Sequence, residues 1–438
     1  MIKINMISLG CPKNQVDSEF MEGVLSEEVR FDLVEKADQA DVIIINTCGF
    51  IEDAKQESID TILNAGRLKE EGACEALIVT GCLTQRYKEE ISDLIPEIDG
   101  MLGAGNYNQI AEIIENVLED RKVNLVDQPN FDFDSSMPRR LNDSHYAYVK
   151  IAEGCNNRCS YCVIPDIRGP VTSRPIDDIC QEIRNLVNNG VQEIILVAQD
   201  ITQYGIDLYG EAALEKLLKQ IIKLDKLPWI RLLYSYPERI NDSLIQIIKE
   251  NEEICNYLDL PIQHSSGRIR KLMSRQGSKE DIVNLIEKLR TEIPDIVLRT
   301  SLIVGFPGET ESDFENLLNF VEQIKFDRLG VFKYSKEEGT PAAEMEAQVP
   351  ENVKEERYNR IMSSQKEISR LRNEELVGEV LPVLIDEVQE DYVIGRTQYD
   401  APEIDNQIII HDSSAKIGEI ICCQIKDAYE YDLIGEII

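Results

Sequence analysis

The sequence predicts an α/β chain in three parts. These are an N-terminal doubly wound parallel sheet over residues 1–120, a central incomplete (β/α)6 barrel over 143–372, and a small antiparallel β-barrel of OB type over 374–438. Three observations carry this. Short apolar runs alternate with stretches at helical spacing through the first two parts. Those runs are apolar throughout, as strands covered on both faces are. Beyond Gly378 only short β-rich runs separated by turn residues remain.

In chain order, 3–9, 41–46 and 76–80 read as buried strands, and 16–26 and 52–66 as the helices between them. The β-α-β-α-β order requires right-handed crossovers and an open sheet. Residues 121–142, with Pro129, Pro138 and Ser135-Ser136, have few apolar positions and no period, and read as a linker. Strands are then expected at 147–153, 193–199, 230–236, 257–262, 296–305 and 329–335, with helices at 178–189, 211–224, 241–250, 279–291 and 312–324. Six such units make a parallel barrel open on one side, with its chemistry at the strand carboxyl ends. The runs 379–386, 407–410 and 417–425 build the last barrel.

A chain of 438 residues, 43% apolar, can form two or three cores. It carries 81 acidic against 46 basic groups, a net charge of −35. Such a field repels phosphate backbones and favours basic partners, although acidity also serves plain solubility. Residues 374–438 hold sixteen acids against three bases, a net of −13, the wrong sign for the RNA that OB-like barrels commonly bind. No apolar run reaches membrane-spanning length and Met1–Ile7 offers no leader, so a cytoplasmic protein with no membrane partner is expected. In that reducing compartment eleven cysteines point to bound metal rather than disulfides.

Two sets of cysteines carry the chemistry. Cys155-x3-Cys159-x2-Cys162 follows the first barrel strand. Three thiolates hold three irons of a [4Fe-4S] cluster and leave the fourth open to a ligand. A structural zinc needs four closed ligands, and the nearest fourth is His145 upstream. A ferredoxin run has two residues, not three, between its first cysteines. Cys11, Cys48 and Cys82 each follow a strand of the N-terminal sheet, and strand ends share one edge, so the three converge on a second cluster site. Gly10, Gly49 and Gly81 beside them permit close backbone approach. Cys74 lies at the opposite end, and Cys180, Cys255, Cys422 and Cys423 read as structural.

The cysteine loop, with Tyr161 before its last cysteine, resembles the signature of the radical S-adenosylmethionine enzymes. That resemblance makes S-adenosylmethionine the expected second ligand. Candidates to hold it at the strand ends are Gln199, Asp200, Ser235, Gln263 and His264, with Arg299 along the fifth strand. A cationic Arg299 suits the carboxylate, and amides or carboxylates suit the ribose hydroxyls. His264 reads equally as a structural histidine and Arg299 as the partner of a local acid. The turn Gly305-Phe306-Pro307-Gly308-Glu309-Thr310 lacks the lysine of a phosphate loop.

Over nearly its whole length the chain resembles the methylthiotransferases, whose C-terminal module is called TRAM. The resemblance rests on Ser8-Leu9-Gly10-Cys11-Pro12-Lys13-Asn14, on 154–165 with Arg168-Gly169 and Ser173-Arg174-Pro175, and on 304–310. The first segment resembles the RimO branch, which modifies an aspartate of small-subunit ribosomal protein twelve. The MiaB branch, acting on tRNA adenosines, is the alternative. The resemblance implies two [4Fe-4S] clusters: one on Cys155, Cys159 and Cys162 that cleaves S-adenosylmethionine to a radical, and an auxiliary one on Cys11, Cys48 and Cys82 that handles the sulfur. It also implies a flavodoxin- or ferredoxin-type electron donor, a sulfur donor, and a basic ribosomal protein rather than tRNA as substrate. Readings from other classes are a two-cluster electron carrier and a nucleic-acid-binding translation factor.

Overall fold

The computed structural model describes every residue except 73, 120, 130, 132–135, 142–143, 227–228 and 413. Ser135 of the expected linker therefore lies outside the described residues. The N-terminal sheet contains β1 (Ile2–Ser8), β2 (Phe31–Leu33), β3 (Val42–Thr47), β4 (Ala76–Gly81), β5 (Gly100–Leu102) and β6 (Val123–Leu125). All are parallel, in the order β2-β1-β3-β4-β5-β6. The order reverses between β1 and β3, which opens a crevice at the carboxyl edge of the sheet. β2, β5 and β6 are three residues each, too short to carry a period, and were not legible. β6 lies inside the expected linker, and its residues pair with β5.

The central sheet begins with β7 (Tyr146–Lys150). A two-stranded ribbon of β8 (Ala152–Glu153) and β9 (Thr172–Ser173) brackets the cysteine loop. β10 (Glu193–Val197), β11 (Trp229–Leu232), β12 (Ile254–Asp259), β13 (Val297–Val304) and β14 (Arg328–Lys333) complete it in the order β14-β13-β12-β11-β10-β7, all parallel. β7 and β14 do not pair, so the barrel stays open, as expected. Its helices start on sequence signals: Ser278 and Thr310 each form a capping box with the aspartate three residues on. Inside, Tyr148, Ile195, Val197 and Tyr257 join Val16, Phe20 and Tyr107 of the N-terminal part in one apolar cluster.

β15 (Val380–Val388), β16 (Val393–Arg396), β17 (Gln407–Ile410), β18 (Ile420–Ala428) and β19 (Asp432–Ile437) close a barrel in the order β15-β16-β17-β19-β18. The expected antiparallel barrel holds except that β17 and β19 run parallel. The β16–β17 loop plugs the amino-terminal end of the central barrel. Arg328, the first residue of β14, donates to Asp400 at 2.6 Å, the Tyr257 hydroxyl donates to Asp405 at 2.6 Å, and Arg231 donates to the Gln398 carbonyl at 2.8 Å. Part of the C-terminal acidity is thus used to hold this end shut.

The N-terminal part sits at the other end. Lys150, which ends β7, pairs with Asp17, and Glu337, just past β14, takes Arg86 at 2.7 Å and Lys55 at 3.1 Å. Arg139 binds Glu19 on one side and Glu182 on the other, so the connecting segment straps both parts together. The carboxyl edges of the two sheets therefore face each other. Among the described residues no helix is long and apolar enough to cross a membrane.

Candidate active site

Cys11 ends the turn after β1, Cys48 follows β3, and Cys82 follows β4 and opens the short helix Cys82–Arg86. The three turns meet. Gly10, at φ +91°, faces Cys48 so closely that a Cβ there would stand 2.7 Å from the Cys48 Cβ. A Cβ at Gly49 would stand 2.8 Å from the Leu83 backbone. These glycines serve the packing of turn on turn first. Asn14 ties the edge together, its amide donating to the Leu9 carbonyl at 3.0 Å and the Thr47 carbonyl at 2.9 Å. Cys11 is half-buried; Cys48 and Cys82 are buried.

Beneath the trio lies a buried ionic network that joins the two edges and that sequence reasoning missed. Arg168, on the helix after the cysteine loop, donates to Glu153 at 2.8 Å, to the Asn14 side-chain oxygen at 2.6 Å and to the Cys82 sulfur at 3.4 Å, and pairs with Asp17 at 3.3 Å. Lys150 bonds Asp17 and, at 2.8 Å, Glu153. Burial opposes ionisation of Glu153, yet Arg168 and Lys150 bring it down to about 2. The available signal was position: Asn14 and Arg168 both sit in the segments that carry the family resemblance.

The second trio hangs on the loop after β8. Cys155 N–H donates to the Gly169 carbonyl at 3.1 Å, and Ser160 is pinned by the Met273 and Leu272 carbonyls at 3.1 and 2.7 Å. Tyr161 packs edge-on against Phe306, which in turn meets Tyr334. The glycine-rich turn at 305–308 thus buttresses the cysteine loop. The Cys155 sulfur accepts from Asn157 N–H at 3.4 Å and Gln203 Nε2 at 3.6 Å, and such bonds stabilise a thiolate. All three cysteines are half-buried. Burial pushes the thiols of Cys48 and Cys162 up to about 12, so both lose a proton when metal binds. His145, the one fourth ligand considered for zinc, is turned to Asp386 at 2.6 Å. Among the described residues no three His, Cys, Asp or Glu are drawn together tightly enough to hold a single metal ion. In a cubane each thiolate takes its own iron, and the three stand wider apart.

The strand-end candidates divide. Gln199 donates to Glu153 at 2.9 Å, and its Oε1 is buried without a hydrogen bond; the Ser235 hydroxyl is likewise buried without one, and His264 Nε2, also without a hydrogen bond, faces Glu309 at 4.0 Å. Acceptors and donors left unmet beside the cysteine loop suit a polar cosubstrate. Burial lowers His264 to about 3, so it is neutral. Gln263 sits at φ +69° with its backbone bridged to β13. Asp200 is already used: it accepts from Arg239 at 2.6 Å and Asn157 at 2.8 Å. Arg299 is the clearest correction. It pairs with Asp259 at 3.0 Å and with Asp405 of the β16–β17 loop at 3.5 Å, so its charge is already met by two carboxylates of the protein.

An open six-stranded parallel barrel with a three-cysteine loop at its carboxyl edge and a five-stranded barrel behind it defines a radical S-adenosylmethionine enzyme with a TRAM barrel. Three family patterns match the chain: "Uncharacterized protein family UPF0004" over residues 3–103, "Radical SAM superfamily" over 149–321 and "TRAM domain" over 377–438. Proteins named ribosomal protein uS12 methylthiotransferase RimO align end to end with it. That of Geotalea uraniireducens is 52% identical over 100% of this chain and 98% of its own. That of Clostridioides difficile is 49% identical over 100% and 99%. The chain belongs to the family of the ribosomal protein uS12 methylthiotransferases RimO. Among solved structures, the radical S-adenosylmethionine methyltransferase TsrM of Kitasatospora setae superposes with TM-score 0.59 at 12% identity, covering 84% of this chain and 89% of that one. At that identity the likeness concerns the fold.

Proposed function

We propose that this chain methylthiolates the β-carbon of an aspartate in ribosomal protein uS12, using two [4Fe-4S] clusters. The observation that carries the reading is the confrontation of two cysteine trios across facing strand-end edges, with Arg168 reaching from one to the other. Cys155, Cys159 and Cys162 hold one cluster and Cys11, Cys48 and Cys82 the other, within a partition into residues 1–120, a connecting segment 121–142, 143–372 and 374–438. When bound, the clusters and S-adenosylmethionine supply a carbon-centred radical and the methylthio group that joins the substrate, chemistry that an aspartate β-carbon, with no acidic or electrophilic handle, requires.

The protein's own residues position and shield. Asn157 and Gln203 donate to Cys155, and Arg168 does the same for Cys82. Gln199, Ser235 and His264 offer the buried polar atoms for S-adenosylmethionine. The β16–β17 loop closes the far end of the barrel and keeps water from entering there. A flavodoxin- or ferredoxin-type electron donor, a sulfur donor and the cytoplasm complete the reading. The relatives are named for uS12, and the C-terminal charge disfavours tRNA, so the MiaB-like alternative is not favoured. Mass spectrometry of uS12 and of tRNA hydrolysates from cells lacking this gene tests it. Loss of the mass added to the uS12 aspartate, restored by the wild-type chain, is expected; an intact uS12 modification with a lost tRNA modification overturns it.

A further inference from the structure

Lys13 is 8% exposed and makes no hydrogen bond or ion pair, whereas every other buried lysine or arginine among the described residues donates to a carboxylate or a carbonyl. Its ammonium stands 3.8 Å over the centroid of the Tyr234 ring. Cys11 and Glu153 act on this cation only through space, and in a chain with 81 acidic groups a buried ammonium with no carboxylate in contact leaves a position open to an anion. The location is specific. Lys13 lies two residues past Cys11 on the N-terminal edge, and Tyr234 lies just past β11 on the barrel edge, so the ammonium spans the two facing edges.

Tyr234 is a second, independent sign. It holds φ +64°, a left-handed conformation that an aromatic residue adopts only under constraint. The constraint is visible: its N–H donates to Asp259 at 3.0 Å, its carbonyl accepts from Ile201 N–H at 3.1 Å, and Arg299 holds Asp259 at 3.0 Å. The chain is strained there so that the ring faces Lys13.

We propose that Lys13 seats the carboxylate of the acceptor side chain, with Tyr234 as the wall against which it is presented. This deepens the proposed function and rests on it for the acidic acceptor. A carboxylate oxygen is two bonds from an aspartate β-carbon, so fixing it on one ammonium fixes the reacting carbon. A carboxylate could also come from S-adenosylmethionine, and the test separates the two sources.

The test uses the reconstituted holoenzyme and two peptides of the target sequence, one with the acceptor aspartate and one with asparagine in its place. Dissociation constants are measured by calorimetry for both peptides and for S-adenosylmethionine. For wild type, the aspartyl peptide is expected to bind roughly tenfold to a hundredfold more tightly than the asparaginyl one, the range of a charged hydrogen bond. Lys13→Met should erase that preference and leave S-adenosylmethionine affinity and iron content as in wild type; Lys13→Arg should restore part of it. Equal weakening of both peptides in Lys13→Met, or weakened S-adenosylmethionine with the peptide preference intact, overturns the assignment. A wild type that modifies tRNA and binds neither peptide sinks the proposed function instead.

Discussion

Arg168 Nη2 lies 3.4 Å from the sulfur of Cys82, and this contact carries a cation of the central barrel into the crevice of the N-terminal sheet. The same guanidinium neutralises Glu153 and Asp17, so one side chain sets both the docking of the two parts and the charge beside a cluster ligand. Removing it leaves two buried carboxylates with one cation, Lys150, between them.

Arg168→Ala should therefore cost about 3–5 kcal/mol of stability, as losing one partner of a buried pair does. Arg168→Lys keeps the charge but not the fork, and should fold while holding less iron in the N-terminal site. Thermal unfolding and iron per chain check both. An Arg168→Lys protein with wild-type iron would show that the Cys82 contact is incidental.

The two trios should load independently. Reconstituted without oxygen, the chain should hold about eight irons, and the triple variant of Cys155, Cys159 and Cys162 to Ala about four. That variant should form no 5'-deoxyadenosine. The matching triple of Cys11, Cys48 and Cys82 should also keep about four irons and still cleave S-adenosylmethionine, while Cys74→Ala keeps all of them. Cys74 sits before β4, its thiol bonded to the Ala76 and Asp41 carbonyls, away from the strand ends.

Glu309 gives a pH signature. Burial pushes it up to about 7, although Arg357 at 3.1 Å pulls the other way. A folded value above the unfolded one means the native state binds more protons between about pH 4.5 and pH 7, so stability from this group falls as pH rises through that window. Glu309→Gln removes the titration. Its stability relative to wild type should rise from pH 5 to pH 8 by about 3 kcal/mol at most, read from denaturant midpoints. A difference that stays flat with pH would mean that Glu309 is ionised throughout.

Arg299 separates a cofactor contact from a structural one. With Asp259 and Asp405 as its partners, Arg299→Ala should lower the thermal midpoint and loosen the C-terminal barrel, and S-adenosylmethionine should bind the folded variant as it binds wild type. Lost affinity at an unchanged midpoint would restore the role expected from sequence.

Legibility followed length scale. Most of the longer strands announced themselves by apolar runs, with β19 (Asp432–Ile437) the exception because Gly435 and Glu436 interrupt its apolar run, and the equivalence of Cys11, Cys48 and Cys82 followed from topology alone, because parallel strands share an edge. Three-residue strands carry no period. The Arg168 network joins Asn14 and Asp17 to residues about 150 positions away, and no local pattern records such a contact. Arg299 misled because the right residue type on the right strand is paired with Asp259 and Asp405, partners that no local pattern records. Asp386 of the acidic C-terminal barrel is likewise held by partners distant in sequence or strand, Arg396 at 3.1 Å and His145 at 2.6 Å.

Those contacts narrow the acidic surface on which substrate capture can be tested. Asp386, through His145, and Asp400, through Arg328, hold the C-terminal barrel to the rest, so neutralising them tests folding. Glu387, Glu390 and Asp391, around the β15–β16 turn, are exposed. If the barrel attracts a basic ribosomal protein, these three raise the encounter rate through a field that salt screens, with a Debye length of about 10 Å at 0.1 M and about 3 Å at 1 M. The variant Glu387→Gln, Glu390→Gln, Asp391→Asn should then lower kcat/KM for uS12 a few-fold at low salt, with kcat unchanged, and should flatten the dependence of kcat/KM on salt. Its thermal midpoint should equal that of wild type, since exposed charges contribute little to stability. An unchanged kcat/KM with an unchanged salt slope would mean that these acids serve solubility alone. Capture would then depend on the groups facing the two trios, where the acceptor side chain must arrive in any case.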